Sequence, residues 1–198
     1  MSKVAVILAP GCEEGETLTI VDIMRRAEIP CELVGLDEME VTGGHDITIL
    51  ADRVFDTDIR DYDMIVLPGG YGGAEAMMAK EDLLSCLRDM DAAGKWVAAI
   101  CAAPTVLDKA GILEGRQFTC YPTTAAKIGS GERRDDIIVI DRNLVTSQGP
   151  ATAYAFTYQL VELLGVSSKA VRDRMVYDHA FGFDGFVGNE EQKDGGAR

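Results

Sequence analysis

Short runs of apolar residues alternate along the chain with longer stretches in which apolar positions recur at helical spacing. Continuous apolar runs of this length predict strands that are covered on both faces. Their alternation with helices is typical of βαβ units, so the pattern predicts an α/β fold with a mostly parallel central sheet and helices on both faces. The predicted sheet strands cover residues 4–9, 31–36, 63–67 and 96–100, and the predicted helices cover residues 13–28, 82–92, 102–110 and 150–164.

Two further predictions concern the edges of the sheet and the extent of the domain. Residues 136–140 and 144–147 are close enough in the chain to form a hairpin, and residues 46–50 predict an additional strand that pairs antiparallel at an edge. No linker divides the chain, so we expect one domain over residues 1–188. The polar, glycine-containing residues 189–198 predict a flexible tail.

Composition and charge exclude several kinds of partner. The 198 residues include 33 acidic and 19 basic side chains, which gives a net charge of −14. Such a surface repels phosphate backbones and anionic lipid, and no apolar run approaches the roughly 18 residues that a membrane span needs. The five cysteines are odd in number and include no CxxC pair, as is typical of a reducing compartment. We therefore expect a cytoplasmic protein that binds neither nucleic acid nor membrane.

The strongest chemical signal is the junction between the predicted strand at 96–100 and the predicted helix at 102–110. Cys101 lies at this junction and is followed by the small residues Ala102 and Ala103. This layout is typical of a nucleophile elbow, a sharp strand-to-helix turn that exposes one side chain above a sheet. The helix N-terminus favours the thiolate, which predicts a lowered pKa for Cys101. The alternative is that Cys101 is a small core residue, as many free cysteines are.

A glycine-rich turn follows the predicted strand at 63–67, with the sequence Pro68-Gly69-Gly70-Tyr71-Gly72-Gly73. It matches neither the GxGxxG dinucleotide fingerprint nor the Walker sequence, and we expect no cofactor. Consecutive N–H groups in such a turn can receive an anion. Beside a Cys101 thiolate, the N–H groups of Gly70 and Ala102 would form an oxyanion hole. A plain strand-to-helix turn is the alternative.

Three carboxylates lie at the start of the first predicted helix. Glu13 and Glu14 are interpreted as solvated residues that interact with the helix dipole. Glu16 lies further in, where its side chain can fold back toward the neighbouring strand ends. A buried Glu16 that stays protonated would donate a hydrogen bond to a thiolate and shuttle a proton.

The remaining thiols give weaker signals. Cys31 and Cys86 are interpreted as packing residues. Cys12 and Cys120 lie in loops at the same end of the predicted sheet as Cys101, so each is a candidate for a resolving thiol, subject to the strict geometry of disulfides. No spacing of His, Cys, Asp and Glu resembles a zinc or iron motif, and no metal is expected.

Together these segments resemble the DJ-1/PfpI superfamily, above all its DJ-1 or ThiJ-like branch, from about residue 3 to residue 165. The resemblance implies a flavodoxin-like sandwich, a homodimer, and Cys101 as a nucleophile or oxidisable thiolate with Glu16 as its protonated partner. It also implies action on reactive α-oxoaldehydes or glycated proteins, or a role as a redox-responsive chaperone. The matching motifs are Val6-Ile7-Leu8-Ala9 with Gly11, Glu13-Glu14-Gly15-Glu16-Thr17, Val66-Leu67-Pro68-Gly69-Gly70, Ala98-Ala99-Ile100-Cys101-Ala102-Ala103-Pro104-Thr105 and Thr146-Ser147-Gln148-Gly149-Pro150-Ala151-Thr152.

Some positions depart from the family pattern. Where many relatives have a histidine, in a Thr-His-Pro sequence, this chain has Tyr121, which can donate a hydrogen bond but is a poor base near neutrality. Two positions at which relatives often have arginine hold Gln148 and His45, which leaves fewer positive charges for an oxidised Cys101. Ala102 stands where amidotransferase and PfpI-type relatives often have a histidine, and this separates the chain from those branches.

The sequence thus supports alternative functional hypotheses. The first is a cofactor-independent cysteine enzyme of the glyoxalase or deglycase type, acting in stress protection, in which Cys101 attacks a small α-oxoaldehyde. The second is a non-enzymatic redox-sensing or chaperone protein whose Cys101 oxidises to the sulfinate. A ligand-binding domain without chemistry is a third. Tyr121, Cys120 and Cys12 are possible auxiliary residues in the first two.

Overall fold

The computed structural model of the chain describes residues 2–181, and its centre is a seven-stranded sheet. The strands, in chain order, are β1 (Val4–Leu8), β2 (Cys31–Gly35), β3 (Glu40–Thr42), β4 (Thr48–Leu50), β5 (Arg53–Val54), β6 (Met64–Leu67), β7 (Trp96–Ile100), β8 (Gln117–Phe118), β9 (Glu132–Arg133), β10 (Ile138–Asp141) and β11 (Leu144–Ser147). The central sheet has the order β10-β11-β7-β6-β1-β2-β5. Its neighbours are parallel except for β10 and β11, which form the predicted antiparallel hairpin.

Two groups of helices flank the sheet, as predicted. The helices are α1 (Glu14–Arg26), α2 (Tyr71–Ala79), α3 (Glu81–Ala92), α4 (Pro104–Lys109), α5 (Ala153–Leu163), α6 (Lys169–Arg174) and α7 (Tyr177–Phe181). Helix α1 packs on α5, whereas α2, α3 and α4 pack on one another. Every residue of β1 and β6 is buried, which is the burial expected of strands covered on both faces. Short 3-10 turns cover Thr57–Asp61, Pro122–Lys127 and Pro150–Thr152.

Glycines end three of the predicted helices. Gly94, Gly111 and Gly165 each follow a helix and have φ values of +70°, +77° and +81°. This left-handed backbone conformation terminates a helix at little steric cost only when the residue has no Cβ.

The prediction for residues 46–50 is wrong in its placement. β4 does pair antiparallel, but with β3 in a separate two-stranded sheet, and the strand at that edge of the central sheet is β5, which runs parallel to β2. The β3–β4 hairpin is instead held over the loop that follows β1. Gly11 N donates to Thr42 O at 2.9 Å, and Gly44 N donates to Cys12 O at 2.8 Å.

The periodicity did not indicate α2, α6 or α7. Gly72 and Gly73 lie within the first turn of α2 and conceal its helical pattern. The predicted domain boundary at residue 188 and the predicted tail at 189–198 lie outside the described residues. Over the described part of the chain, no helix combines the length and the apolar composition of a membrane span.

Candidate active site

Cys101 lies on a strained turn directly after β7. Its φ is +63°, a left-handed value that a residue with a Cβ seldom adopts. The turn is fixed on both sides, because Cys101 N donates to Ser147 O at 3.0 Å and Cys101 O accepts from Tyr121 N at 2.9 Å. Helix α4 begins three residues later at Pro104. The structure thus has the strand–turn–helix arrangement expected of a nucleophile elbow.

Glycines make room for this turn. A Cβ at Gly69 would lie 2.5 Å from Cys101 Cβ and 2.7 Å from Glu16 Oε2, closer than real atoms approach. Gly70 has a φ of +87°, and a Cβ there would lie 2.5 Å from Gly11 O. The first loop, the glycine turn and Cys101 can pack this closely only because these positions have no side chain.

Glu16 lies beneath the turn and is fully buried. It occupies the first turn of α1, whose N-cap is Glu13, and its Oε2 accepts a 2.7 Å hydrogen bond from Gly69 N. Its carboxyl group also shares a hydrogen bond with the Cys101 thiol. Burial raises the pKa of Glu16 to about 7, although the hydrogen bonds from Gly69 and Cys101 act in the opposite direction. Within residues 2–181, the second oxygen, Oε1, is buried and has no hydrogen-bond partner.

The pKa of the Cys101 thiol does not follow the expectation from the helix N-terminus. Burial and the nearby Glu16 carboxylate raise this pKa to about 12, against the lowering effect of the Gly70 and Ala102 N–H groups, which point at the sulfur. The expectation was wrong because Cys101 is only 8% exposed and lies beside a second acidic group. When Glu16 holds the proton, the raising effect of its charge disappears, so protonation of Glu16 makes the Cys101 thiolate less unfavourable.

A pocket of about 500 Å³ opens above Cys101. The structure brings Cys12, Tyr121, Gly70 and Ala102 to its wall, together with Cys101. Cys120 does not reach the wall; it is fully buried, and burial raises the pKa of its thiol. The residues that line the pocket are Gly11, Cys12, Glu13, Gly44, His45, Gly70, Tyr71, Gly72, Cys101, Ala102, Tyr121 and Pro150.

Comparison with known proteins identifies the fold and the family. The family model described as "DJ-1/PfpI family" matches residues 2–163. The chain belongs to the DJ-1/PfpI family. Protein dj-1beta of Drosophila melanogaster is 41% identical over 174 residues, covering 85% of this chain and 93% of the fly protein. The crystal structure of the fly protein superposes with a TM-score of 0.83 at 38% identity, covering 89% of this chain and 98% of that one.

The names of two other relatives refer to an activity or to an oxidation state. The "glutathione-independent glyoxalase DJ-1" of Schizosaccharomyces pombe is 30% identical over 181 residues, covering 85% of this chain and 94% of the yeast protein. A structure described as oxidized Toxoplasma gondii DJ-1 has a TM-score of 0.84 at 31% identity and covers 89% of this chain and 99% of that one. These likenesses confirm the resemblance read from the motifs and support a DJ-1-like role.

The departure at Tyr121 lies within this DJ-1-type pocket. Tyr121 is 38% exposed, and its ring packs against Gly149, where a Cβ would lie 3.3 Å from the ring atom Cδ2. A second tyrosine, Tyr71, is 51% exposed on the same pocket wall, and its hydroxyl group forms a 2.8 Å hydrogen bond with Thr123 Oγ1. The pocket therefore has two phenol groups and no imidazole at the position where many family members have one.

Sequence reasoning misread Glu14. The residue is only 3% exposed, because the β3–β4 hairpin covers it. Its Oε1 accepts from His45 N at 2.7 Å, and its Oε2 lies 2.8 Å from His45 Nδ1. Although burial opposes the change, these hydrogen bonds lower the pKa of Glu14, and the same carboxylate raises the pKa of His45. The glycine pair Gly43-Gly44 was the sequence signal that could have indicated this close contact. A Cβ at Gly43 would lie 2.3 Å from the Glu14 carboxyl group.

Glu13, Glu14 and His45 form a cluster of potential metal ligands. Ligand atoms of Glu13, Glu14 and His45 all lie within 4.8 Å of one another. Nδ1 of His45 is already bound to Glu14, and the Glu13 carboxylate caps α1 by accepting from Gly15 N at 3.1 Å. These side chains satisfy one another without an ion, so the arrangement does not assign a metal.

Proposed function

We propose that this DJ-1 family member converts small α-oxoaldehydes to 2-hydroxy acids without a cofactor. One observation carries the proposal: Cys101 lies on a strained elbow at the base of a pocket, and the buried Glu16 carboxyl group is hydrogen-bonded to its sulfur. The name of the yeast relative supports the same reaction type.

The first step uses the proton that the two groups share. Near neutrality, transfer of this proton from Sγ of Cys101 to Glu16 gives a thiolate and a carboxylic acid without a change in net charge. The N–H groups of Gly70 and Ala102 favour that state, because they point at the sulfur. The buried acid then serves as the proton store for the reaction.

Attack on the substrate forms a hemithioacetal. Sγ of Cys101 bonds to the aldehyde carbon, and the carbonyl electron pair moves onto oxygen, which Glu16 protonates. While that oxygen is negative, the N–H groups of Gly70 and Ala102 serve as its oxyanion hole, since the negative charge has moved only two bonds away from the sulfur at which they point. Rearrangement and hydrolysis then release the hydroxy acid.

Turnover of methylglyoxal by the purified protein tests this function. We expect Cys101→Ser to lower kcat/KM by about 10³-fold or more, because the hydroxyl group is a far weaker nucleophile in this setting. Cys86→Ser is the matched control, since Cys86 is a fully buried thiol on α3 outside the pocket lining, and it should keep activity in its folded fraction. Equal rates for wild type and Cys101→Ser would remove Cys101 from the mechanism.

A second candidate function is redox sensing, with chaperone or partner-binding output. The description of the Toxoplasma relative as oxidized favours it, as do the N–H groups of Gly70 and Ala102, which could bind a sulfinate oxygen. Intact-mass spectrometry after mild peroxide should then show a stable gain of two oxygens that is confined to Cys101. Gain of oxygen spread over several thiols would contradict the sensor.

The remaining parts of the proposal concern the binding partners and the location of the protein in the cell. We infer that glycated protein is an alternative source of the carbonyl substrate, that the protein is a homodimer, and that it acts in the cytoplasm. The family membership and the pocket support the first inference, and the high negative charge supports the exclusion of nucleic acid as a partner.

A further inference from the structure

The chain has two histidines, and the structure places one of them in the active-site pocket. His45 comes from the β3–β4 hairpin and lines the same pocket as Cys101. His179 is exposed on α7 and is not part of the pocket lining. Cys101 and Glu16 come from other elements, so His45 reaches the pocket only through the fold of the hairpin over the first loop.

The His45 ring is held by a buried carboxylate. Glu14 binds both the backbone N–H of His45, at 2.7 Å, and the ring Nδ1, at 2.8 Å. A carboxylate can only accept hydrogen bonds, so Nδ1 carries the proton and Nε2 of a neutral ring has a free lone pair. The histidine side chain is 71% exposed while Glu14 is 3% exposed, which is the arrangement of an oriented base with a fixed carboxylate behind it.

The proposed reaction needs a base that the rest of the pocket does not provide. Glu16 is fully buried, does not line the pocket, and has one oxygen bound to Gly69 N. Glu13 caps α1, and Tyr121 has a phenol group, which is a poorer base than an imidazole. His45 is the side chain on the described pocket wall whose ordinary proton affinity suits general base catalysis near neutrality.

We propose that His45, oriented by Glu14, is the general base that converts the Cys101 hemithioacetal to product. The inference rests on the proposed function and adds to it a catalytic residue and a positioning residue. Nε2 of His45 removes the proton from the carbon bonded to Sγ, and the electron pair moves into an enediol. The hydroxyl proton on the first carbon passes to the oxygen of the second carbon, and the proton on Nε2 returns to the second carbon itself. The oxygen of the first carbon becomes a carbonyl, which leaves a thioester on Cys101. The first carbon is oxidised and the second is reduced by the same two electrons, so no outside oxidant is needed.

The same base completes hydrolysis. Nε2 takes a proton from water as the water oxygen attacks the thioester carbon. The carbon–sulfur bond then breaks, the 2-hydroxy acid leaves, and the proton returns to the Cys101–Glu16 pair. Each turnover consumes one water and restores every group to its starting state.

Three acidic groups face His45 and set its response to pH. Glu14 is the dominant one, and Glu13 and Asp46 add to the effect. All three stabilise the protonated ring, so the pKa of His45 is raised from its usual value. A base must be unprotonated, so kcat should rise with pH through the pKa of His45. This low-pH limb of the kcat profile should lie at a higher pH than an ordinary histidine would give.

The experiment compares methylglyoxal turnover and thiol reactivity in the same variants. His45→Asn retains an amide that can donate to Glu14 but has no base. We expect its kcat to fall by about 10²-fold and its low-pH limb to disappear, while iodoacetamide alkylates Cys101 within about twofold of the wild-type rate. Glu14→Gln should retain the base but shift the limb to lower pH, because the negative charge behind the ring is lost. His179→Asn is the matched control and should behave as wild type.

The outcomes separate this inference from the function on which it rests. Wild-type turnover that Cys101→Ser abolishes and His45→Asn leaves intact would overturn the His45–Glu14 inference alone. Equal loss of kcat and of alkylation rate in His45→Asn would show a structural role and would also overturn it. Absence of turnover in wild type would overturn the proposed function and the inference together.

Discussion

At the scale of single residues, the buried Glu16 carboxyl group makes the stability of the folded state depend on pH. Its pKa is about 7 in the folded protein and 4.5 in its ordinary, solvated state. The folded state therefore binds this proton more tightly than the unfolded chain does. Stability from this group is complete below pH 4.5 and is lost as the pH rises toward 7.

Glu16→Gln should remove that loss. We expect the free energy of unfolding of wild type to fall between pH 4.5 and 8 by roughly 3 kcal/mol relative to the variant, because each pKa unit corresponds to about 1.4 kcal/mol. Urea denaturation at pH 5 and pH 8 measures the difference. Glu75→Gln, which changes an exposed carboxylate on α2, serves as the control and should track wild type. If the free energy of unfolding depends on pH in the same way for wild type and Glu16→Gln, the Glu16 carboxyl group does not have a raised pKa.

Local sequence was sufficient for some of the residues at the site. Cys101 could be placed at a turn because a buried strand, small residues and a helix start follow one another in a few positions. Glu14 and His45 could not be paired in this way, since they are 31 positions apart and meet only through the packing of the hairpin. The predicted direction of the Cys101 pKa shift was also wrong, because burial is a property of the packed molecule and not of the turn.

At the scale of elements, the glycine turn between β6 and α2 positions the site. Gly69 lies where its N–H binds Glu16 and where a Cβ would overlap Cys101 Cβ and approach Ile100 O to 2.9 Å. Because two of these neighbours belong to the β7 strand end, the turn cannot move away without disturbing the elbow.

Gly69→Ala should therefore damage stability and activity together. We expect a loss of about 2–3 kcal/mol in the free energy of unfolding, which is typical of overpacking, and slower Cys101 alkylation than in wild type in the molecules that remain folded. Gly129→Ala is the control, since a Cβ there meets only Asp108 Oδ2 at 4.0 Å, and it should be near neutral. Differential scanning calorimetry and iodoacetamide kinetics measure the two effects. A Gly69→Ala protein with wild-type melting and reactivity would contradict the close packing of the turn.

Periodicity predicted the elements with a continuous pattern and missed those without one. The apolar runs at β1, β6 and β7 could be read directly, because a strand covered on both faces has no polar alternation. Helix α2 was missed because glycines interrupt it, and β4 was misplaced because its three residues pair locally with β3. Short strands contain too little pattern to specify their partner.

At the scale of the whole molecule, two exposed apolar side chains lie on helix α1 and the β3–β4 hairpin, which Glu14 joins. Leu18 is 45% exposed on α1, one helical turn after Glu14, and Ile47 is 52% exposed on the hairpin that Glu14 binds. Exposed apolar groups that neighbour one another favour association. This surface is where we expect the two copies of the proposed homodimer to meet.

Sedimentation equilibrium tests this expectation. Each chain carries a net charge of −14, so two copies repel, and added salt should strengthen the dimer by shortening the range of that repulsion from about 30 Å at 0.01 M to about 8 Å at 0.15 M. Leu18→Glu adds a charge to the contact and should give a monomer at concentrations where wild type is a dimer. Ile137→Glu changes an exposed apolar residue elsewhere, 41% exposed beside β10, and should leave the dimer intact. Dimerisation that weakens with salt, or that survives Leu18→Glu, would place the contact on a different and more polar surface. The location of this contact also matters for chemistry, because the hairpin that would meet the second copy is the one that carries His45 into the pocket.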